Sequence, residues 1–177
     1  MLFFHSSISA GDFNSGFIHP LTGLDHLMAM LSIGIISTLM KKYDIYWLPA
    51  FFVTSMLVGG ILGYFQVPIY FTEQMIALSV IILGTCILIV RQFNMINIIY
   101  TITILFGIAH GYAHGIEMPF AAKPISYFMG SLSATILIHI SGILIGYGSE
   151  KWSGGYIAKA AAFIFIVYGI KLGFSFI

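Results

Sequence analysis

Ile104-Leu105-Phe106-Gly107-Ile108-Ala109-His110-Gly111-Tyr112-Ala113-His114-Gly115-Ile116-Glu117 is the stretch whose reading decides the fold. The apolar run behind it reaches back to about residue 95. It is too long for a strand and lacks period-2 alternation, so it reads as a helix over about 95–116. On that helix His110, His114 and Glu117 recur at i, i+4 and i+7 and project from one face. An ionisable group in an apolar setting is costly unless paired or ligated, so a column of metal-competent side chains there needs a common explanation.

Working outward, five more apolar runs surround this one, at about 19–40, 46–65, 70–90, 125–147 and 156–176. Each approaches the roughly 20 residues that a helix needs to cross a bilayer core of about 30 Å. The connections are short, and no long polar insert divides the chain. The expected fold is therefore an all-α, polytopic membrane protein, a compact bundle of about six transmembrane helices forming a single transmembrane domain over 1–177. Composition points the same way: 59% of residues are apolar and 7% charged, against about 25% charged in soluble domains.

Charge excludes some partners. Seven Lys or Arg against six Asp or Glu leave a net +1, so neither nucleic acid nor a polybasic lipid-binding surface is suggested, and the lipid bilayer is an expected partner on composition alone. Lys41, Lys42, Arg91 and Lys151 fall in the first, third and fifth connections, with Lys159 just inside the sixth span, while Lys123 and Lys171 lie opposite. By the positive-inside rule the odd connections are cytoplasmic and both termini face out. The single Cys86 has no intrachain partner for a disulfide.

Residues 1–18 are expected to be an extramembrane lead-in. They contain a fragment of a secretory signal and no complete one. His5 there is either a surface residue or a metal-capture ligand. In His19-Pro20-Leu21-Thr22-Gly23-Leu24-Asp25-His26, Pro20 suits the first turn of the first span. His19 then sits at the helix start, and His26, seven residues on, returns to its face. Asp25 can ligate a metal or hold the His26 ring, or the pair can simply lock two helices together. Glu73, at the start of the third span, is also accounted for by the helix macrodipole. His139, mid-span in Ile136-Leu137-Ile138-His139-Ile140, has no polar neighbour in sequence and must find a partner on another helix.

The predicted orientation puts His19, Asp25, His26, Glu73, His110, His114 and Glu117 in the outer half of the bilayer, with Asp25 and His26 about 9 Å below the start of their helix. His139 lies deeper, about 20 Å along the fifth span. Imidazole and carboxylate suit Ni²⁺, Co²⁺, Zn²⁺ or Cu²⁺. Small residues at four-residue spacing, Gly59 and Gly63, Gly107, Gly111 and Gly115, Gly142 and Gly146, predict close helix packing. The sharpest expectation is a site shared by the first and fourth spans, with Glu117 at the entrance and His139 below.

The first-span segment, with Met30 four residues on, the segment from Phe106 to Glu117 and Ala134-Thr135-Ile136-Leu137-Ile138-His139-Ile140-Ser141-Gly142 resemble the HupE/UreJ family of hydrogenase and urease accessory proteins. Glu73 with Ile76-Ala77-Leu78-Ser79-Val80 and Gly84 is similar to that family's third-helix pattern. The resemblance runs through essentially the whole chain in the same order. It implies a nickel permease, with cobalt as an alternative cargo, in the bacterial inner membrane and serving a hydrogenase or urease maturation system. It implies that His19, Asp25, His26, Glu73, His110, His114, Glu117 and His139 line a divalent-metal path. It also implies that His5 corresponds to a histidine that follows a cleaved leader in relatives, although only four residues precede it here.

The leading expectation is thus a secondary transporter, not an enzyme, moving a divalent ion inward. No G-x-x-x-x-G-K-[ST] motif indicates direct ATP coupling. A membrane potential of about 100 mV would supply about 4.6 kcal/mol for a divalent ion. Two alternatives stand beside it: a metal- or haem-dependent membrane enzyme, against whose protease version the absence of H-E-x-x-H counts, and a metal sensor that binds without translocating.

Overall fold

The computed structural model describes residues 13–120 and 123–175; His5 lies outside them. Within the described residues the chain is all-helical: α1 (Phe13–Thr22), α2 (Leu24–Leu39), α3 (Asp44–Tyr64), α4 (Thr72–Ile89), α5 (Ile96–Ile116), α6 (Pro124–Ser153) and α7 (Tyr156–Phe174). Helices α3 to α7 are each long and apolar enough to cross a membrane, and α1 with α2 makes a sixth such unit if the bent pair counts as one span. This is a multi-pass membrane protein.

The structure departs from the sequence expectation at the start. The first span is not one helix from residue 19: α1 begins at Phe13, inside the expected lead-in, and meets α2 at an angle of 82°. Pro20 is inside α1 rather than at its first turn. Lacking an N–H, it can give nothing to the carbonyl of Gly16 and weakens the helix just before it ends. Gly23 forms the joint in extended backbone, φ −77° and ψ 106°. A Cβ there would come within 3.0 Å of Asp25 Oδ1 and 3.3 Å of His26 Nδ1, so the absent side chain makes room for the next two polar groups. The depth counted from His19 along a continuous helix does not hold, since Asp25 and His26 lie in the first turn of α2.

α1 is held by tertiary contact more than by its own sequence. Gly16 sits against the backbone carbonyl of Tyr127, and Gly130 of α6 against that of Phe13. α2 is the central helix: Ala29, Met30, Ile33, Ile35 and Ile36 are fully buried around it. α3 and α5 form the tightest seam. Gly59 meets the backbone of Ile108, and Gly111 that of Met56. In lipid, helices associate through this kind of close backbone approach, because there is no apolar surface to hide from water. α6 runs through Ser153, past the expected end of its span and into the expected connection, and ends at Gly154 in the left-handed region, φ 58°.

Alternation of helices separates two ends. One carries Lys41, Lys42, Arg91 and Lys151, where Arg91 Nη1 pairs with Glu150 Oε2 at 2.7 Å. Asp44 is buried at that end, accepting from the backbone N–H of Lys41 and from the Tyr100 hydroxyl, each at 2.8 Å. The other end gathers the ends of α1 and α5 with the starts of α2, α4 and α6. All the sequence-singled histidines of the described residues except His139 lie there.

Candidate metal centre

The joint between α1 and α2 creates the site. Seven residues of continuous helix would separate His19 and His26 by about 10.5 Å along the axis. The bend brings their ring centroids to 5.8 Å. α5 supplies the facing wall: the His114 ring is 4.7 Å from His19 and 4.9 Å from His26, and the His110 ring is 4.9 Å from His26. One ring nitrogen each from His19, His26 and His114 lies within 4.8 Å of the others.

The hydrogen bonds around these rings decide which nitrogens are free. A carbonyl or carboxylate oxygen only accepts, so the nitrogen facing it carries the proton. His26 Nδ1–H donates to Asp25 Oδ1 at 2.9 Å, and His110 Nδ1–H to the carbonyl of Phe106 at 2.9 Å. Both rings therefore keep the Nε2 lone pair, and both Nε2 atoms are buried without a partner. Both nitrogens of His114 are also buried and unpartnered. His19 Nε2–H donates to Glu117 Oε2 at 2.9 Å, which leaves the lone pair on Nδ1.

This donor set suits a cation. Buried polar atoms are ordinarily satisfied, and orphaned ones ask for a reason. Here they converge, and each of three rings is oriented through its other nitrogen, as metal-ligating histidines usually are. Two nitrogens each about 2.1 Å from one ion lie at most about 4.2 Å apart. Nitrogens that lie within 4.8 Å of one another are near enough for the rings to draw together on a single ion. The cluster is compatible with metal binding.

Carboxylates stand behind the rings. Asp25 is in the first turn of α2, where the helix dipole also favours it. Glu117, at the C-cap of α5, is partly exposed, and the His19 hydrogen bond holds its carboxyl below the usual carboxylate range against the opposing effect of burial. A cavity of about 360 Å³ opens beside them, lined by Ser15, Ile18, His19, Thr22, Glu117, Pro119 and Tyr127. It gives the cluster a mouth at the helix ends.

Of the sequence-singled residues, the structure brings together His19, Asp25, His26, His110, His114 and Glu117. Glu73 is exposed in the first turn of α4. It makes no hydrogen bond or ion pair among the described residues, although it is near enough to feel the charges of Glu117, Asp25 and His26. His139 is buried mid-way along α6 with both ring nitrogens unpartnered, and its neighbour is Phe52, 5.2 Å away between centroids. Two contributors carried no signal in the sequence. Tyr127 places its ring 6.5 Å from His19 and its hydroxyl is buried without a partner. Phe52 touches both His110 and His139. Nothing distinguishes one phenylalanine among 16, or one tyrosine among 10, before the fold assembles them.

Comparison with known proteins bears on the whole chain. The family model described as HupE / UreJ protein matches residues 1–172. Protein HupE of Rhizobium leguminosarum bv. viciae is 29% identical over 171 residues, covering 92% of this chain and 88% of that protein. No solved structure matches the chain. A match over nearly the full length, together with a helical membrane bundle that joins the histidines of its first and fifth helices, identifies the chain as a member of the HupE/UreJ family.

Proposed function

We propose that this protein is a permease that carries a divalent transition metal, Ni²⁺ first and Co²⁺ second, across the membrane from the outer face to the cytoplasm. The observation that carries the reading is the convergence of His19, His26 and His114 nitrogens within 4.8 Å, with His26 Nε2 and both His114 nitrogens buried and unsatisfied by any described protein group. The ion is the cargo. It enters by the cavity beside Glu117, where carboxylates attract it and imidazoles replace part of its hydration shell. It then moves inward past His139. Neutral nitrogen ligands favour Ni²⁺, Co²⁺, Zn²⁺ and Cu²⁺ over Mg²⁺ or Ca²⁺. The basic residues at the opposite end support the inward direction through the positive-inside rule, with both termini outside. The family resemblance supports a role in supplying a hydrogenase or urease maturation system rather than an enzymatic one.

The test is metal uptake by cells or sealed vesicles containing the parent protein, His110→Ala or Asp25→Ala. Both variants should accumulate Ni²⁺ far more slowly than the parent. Undiminished accumulation in both sinks the site, and tight binding by the parent without flux would make it a sensor instead.

A further inference from the structure

The histidine cluster and His139 are not in contact. Between them stands Phe52 of α3, fully buried, with its ring centroid 5.7 Å from His110 and 5.2 Å from His139. Those are ordinary aromatic contact distances, within the roughly 4.5–7 Å of packed rings, so the Phe52 ring packs against both histidines. Backbone geometry offers no way round on the α5 side. Gly107 of α5 is seated against Ser55 and the carbonyl of Phe52, and Gly111 against Met56, so the α3–α5 seam is closed at the level of the main chain.

We propose that Phe52 is the gate of the transport path, an apolar plug that separates the outer histidine cluster from the inner His139. This rests on the transport reading and says which side chain must move for the ion to pass. Hydrophobic constrictions of this kind close a path by excluding water from it. Both rings that touch it carry unsatisfied nitrogens: His110 Nε2 and both nitrogens of His139 are buried without a partner. The ring is thus an apolar step in contact with two imidazole stations.

α3 has a place to flex beside the plug. Pro49, one turn before Phe52 and inside the helix, has no N–H to give to the carbonyl of Ile45. Proline in a helix interior is a usual cause of a bend. The same stretch borders an apolar groove of about 580 Å³ between α3 and α6, lined by Pro49, Ala50, Val53, Ile136, His139 and Ile140 among others. The groove leaves room beside α3 at this level, and a bend introduced at Pro49 would shift Phe52 relative to His139.

The experiment uses the full-length protein in liposomes, with an entrapped Ni²⁺-sensitive dye, and equilibrium Ni²⁺ binding in detergent. Phe52→Ala and Phe52→Leu should each keep the parent's binding stoichiometry and raise downhill Ni²⁺ flux, the alanine variant by roughly tenfold, which corresponds to about 1.4 kcal/mol off the barrier. Phe52→Trp should keep binding and lose flux. If the alanine variant fails to fold, the leucine and tryptophan variants decide. Parent-like flux in Phe52→Leu and Phe52→Trp with binding intact overturns the gate while leaving transport standing. Binding without flux in the parent overturns transport itself, and the gate with it.

Discussion

Asp25 Oδ1 accepts two hydrogen bonds from the residue that follows it, from the backbone N–H of His26 at 2.8 Å and from its ring Nδ1–H at 2.9 Å. The carboxylate thereby clamps the imidazole to the start of α2 and fixes its tautomer. Replacing Asp25 by Asn keeps the shape but loses the charge and the certainty of ring orientation. Asp25→Asn should bind Ni²⁺ about 10- to 100-fold more weakly, the usual effect of removing a group that orients a metal-bound histidine. Isothermal titration in detergent measures it, and unchanged affinity would place Asp25 outside the site.

Glu117 gives a pH dependence whose sign follows from its partner. Its carboxyl is held below the usual range by the His19 hydrogen bond. A group with a depressed folded-state value contributes stability above its unfolded value, about 4.3 for Glu, and loses it as pH falls through the folded one. Thermal melting of the parent should therefore exceed that of Glu117→Gln at neutral pH, with the gap closing only on the acid side of the ordinary Glu range. A gap of constant size down to the most acidic condition would contradict the pairing.

Tyr112 ties the α3–α4 connection to α5. Its hydroxyl donates to the carbonyl of Val67 at 2.7 Å and accepts from the N–H of Ile69 at 3.1 Å, across a turn in which Gln66 and Phe71 take positive φ. Tyr112→Phe leaves both backbone groups without this partner and should cost about 1–3 kcal/mol. Faster limited proteolysis between residues 65 and 72 reports the loosening.

The α3–α5 seam should tolerate no added methyl. A Cβ on Gly111 would overlap the carbonyl of Met56, which is backbone and cannot swing aside, whereas one on Gly173 near the end of α7 meets nothing within 4 Å. Gly111→Ala should lose about 1–3 kcal/mol or more from overpacking. Gly173→Ala should be neutral or slightly stabilising. Melting temperatures of the two variants in the same detergent make the comparison.

The helical bundle was legible because its runs are long and almost uncharged, and one period accounts for them. The column of His110, His114 and Glu117 was legible for the same reason, since positions on one regular helix follow from arithmetic. The joint at Gly23 was not. Pro20 read equally well as a helix start, and the small polar residues Asn14, Ser15 and Gly16 obscured the stripe that Phe13, Phe17 and Leu21 make. α1 forms because Gly16 and Gly130 let its backbone lie on α6, a contact between positions more than a hundred residues apart. Phe52 and Tyr127 were hidden by abundance, as aromatic residues are the ordinary filling of such a bundle.

The joint between α1 and α2 has a consequence in coordination chemistry. His19 and His26 belong to two helices that meet at 82°, so a metal ion held by both would have its bite angle set by the joint and not by the rings. An ion gripping both arms biases the hinge, and by linkage the hinge biases the affinity for the ion by the same free energy. A straight first helix would offer two fixed, widely spaced ligands. In the bent one the strength of such a grip would be a property of the helix angle, which the seating of Gly16 and Gly130 between α1 and α6 holds.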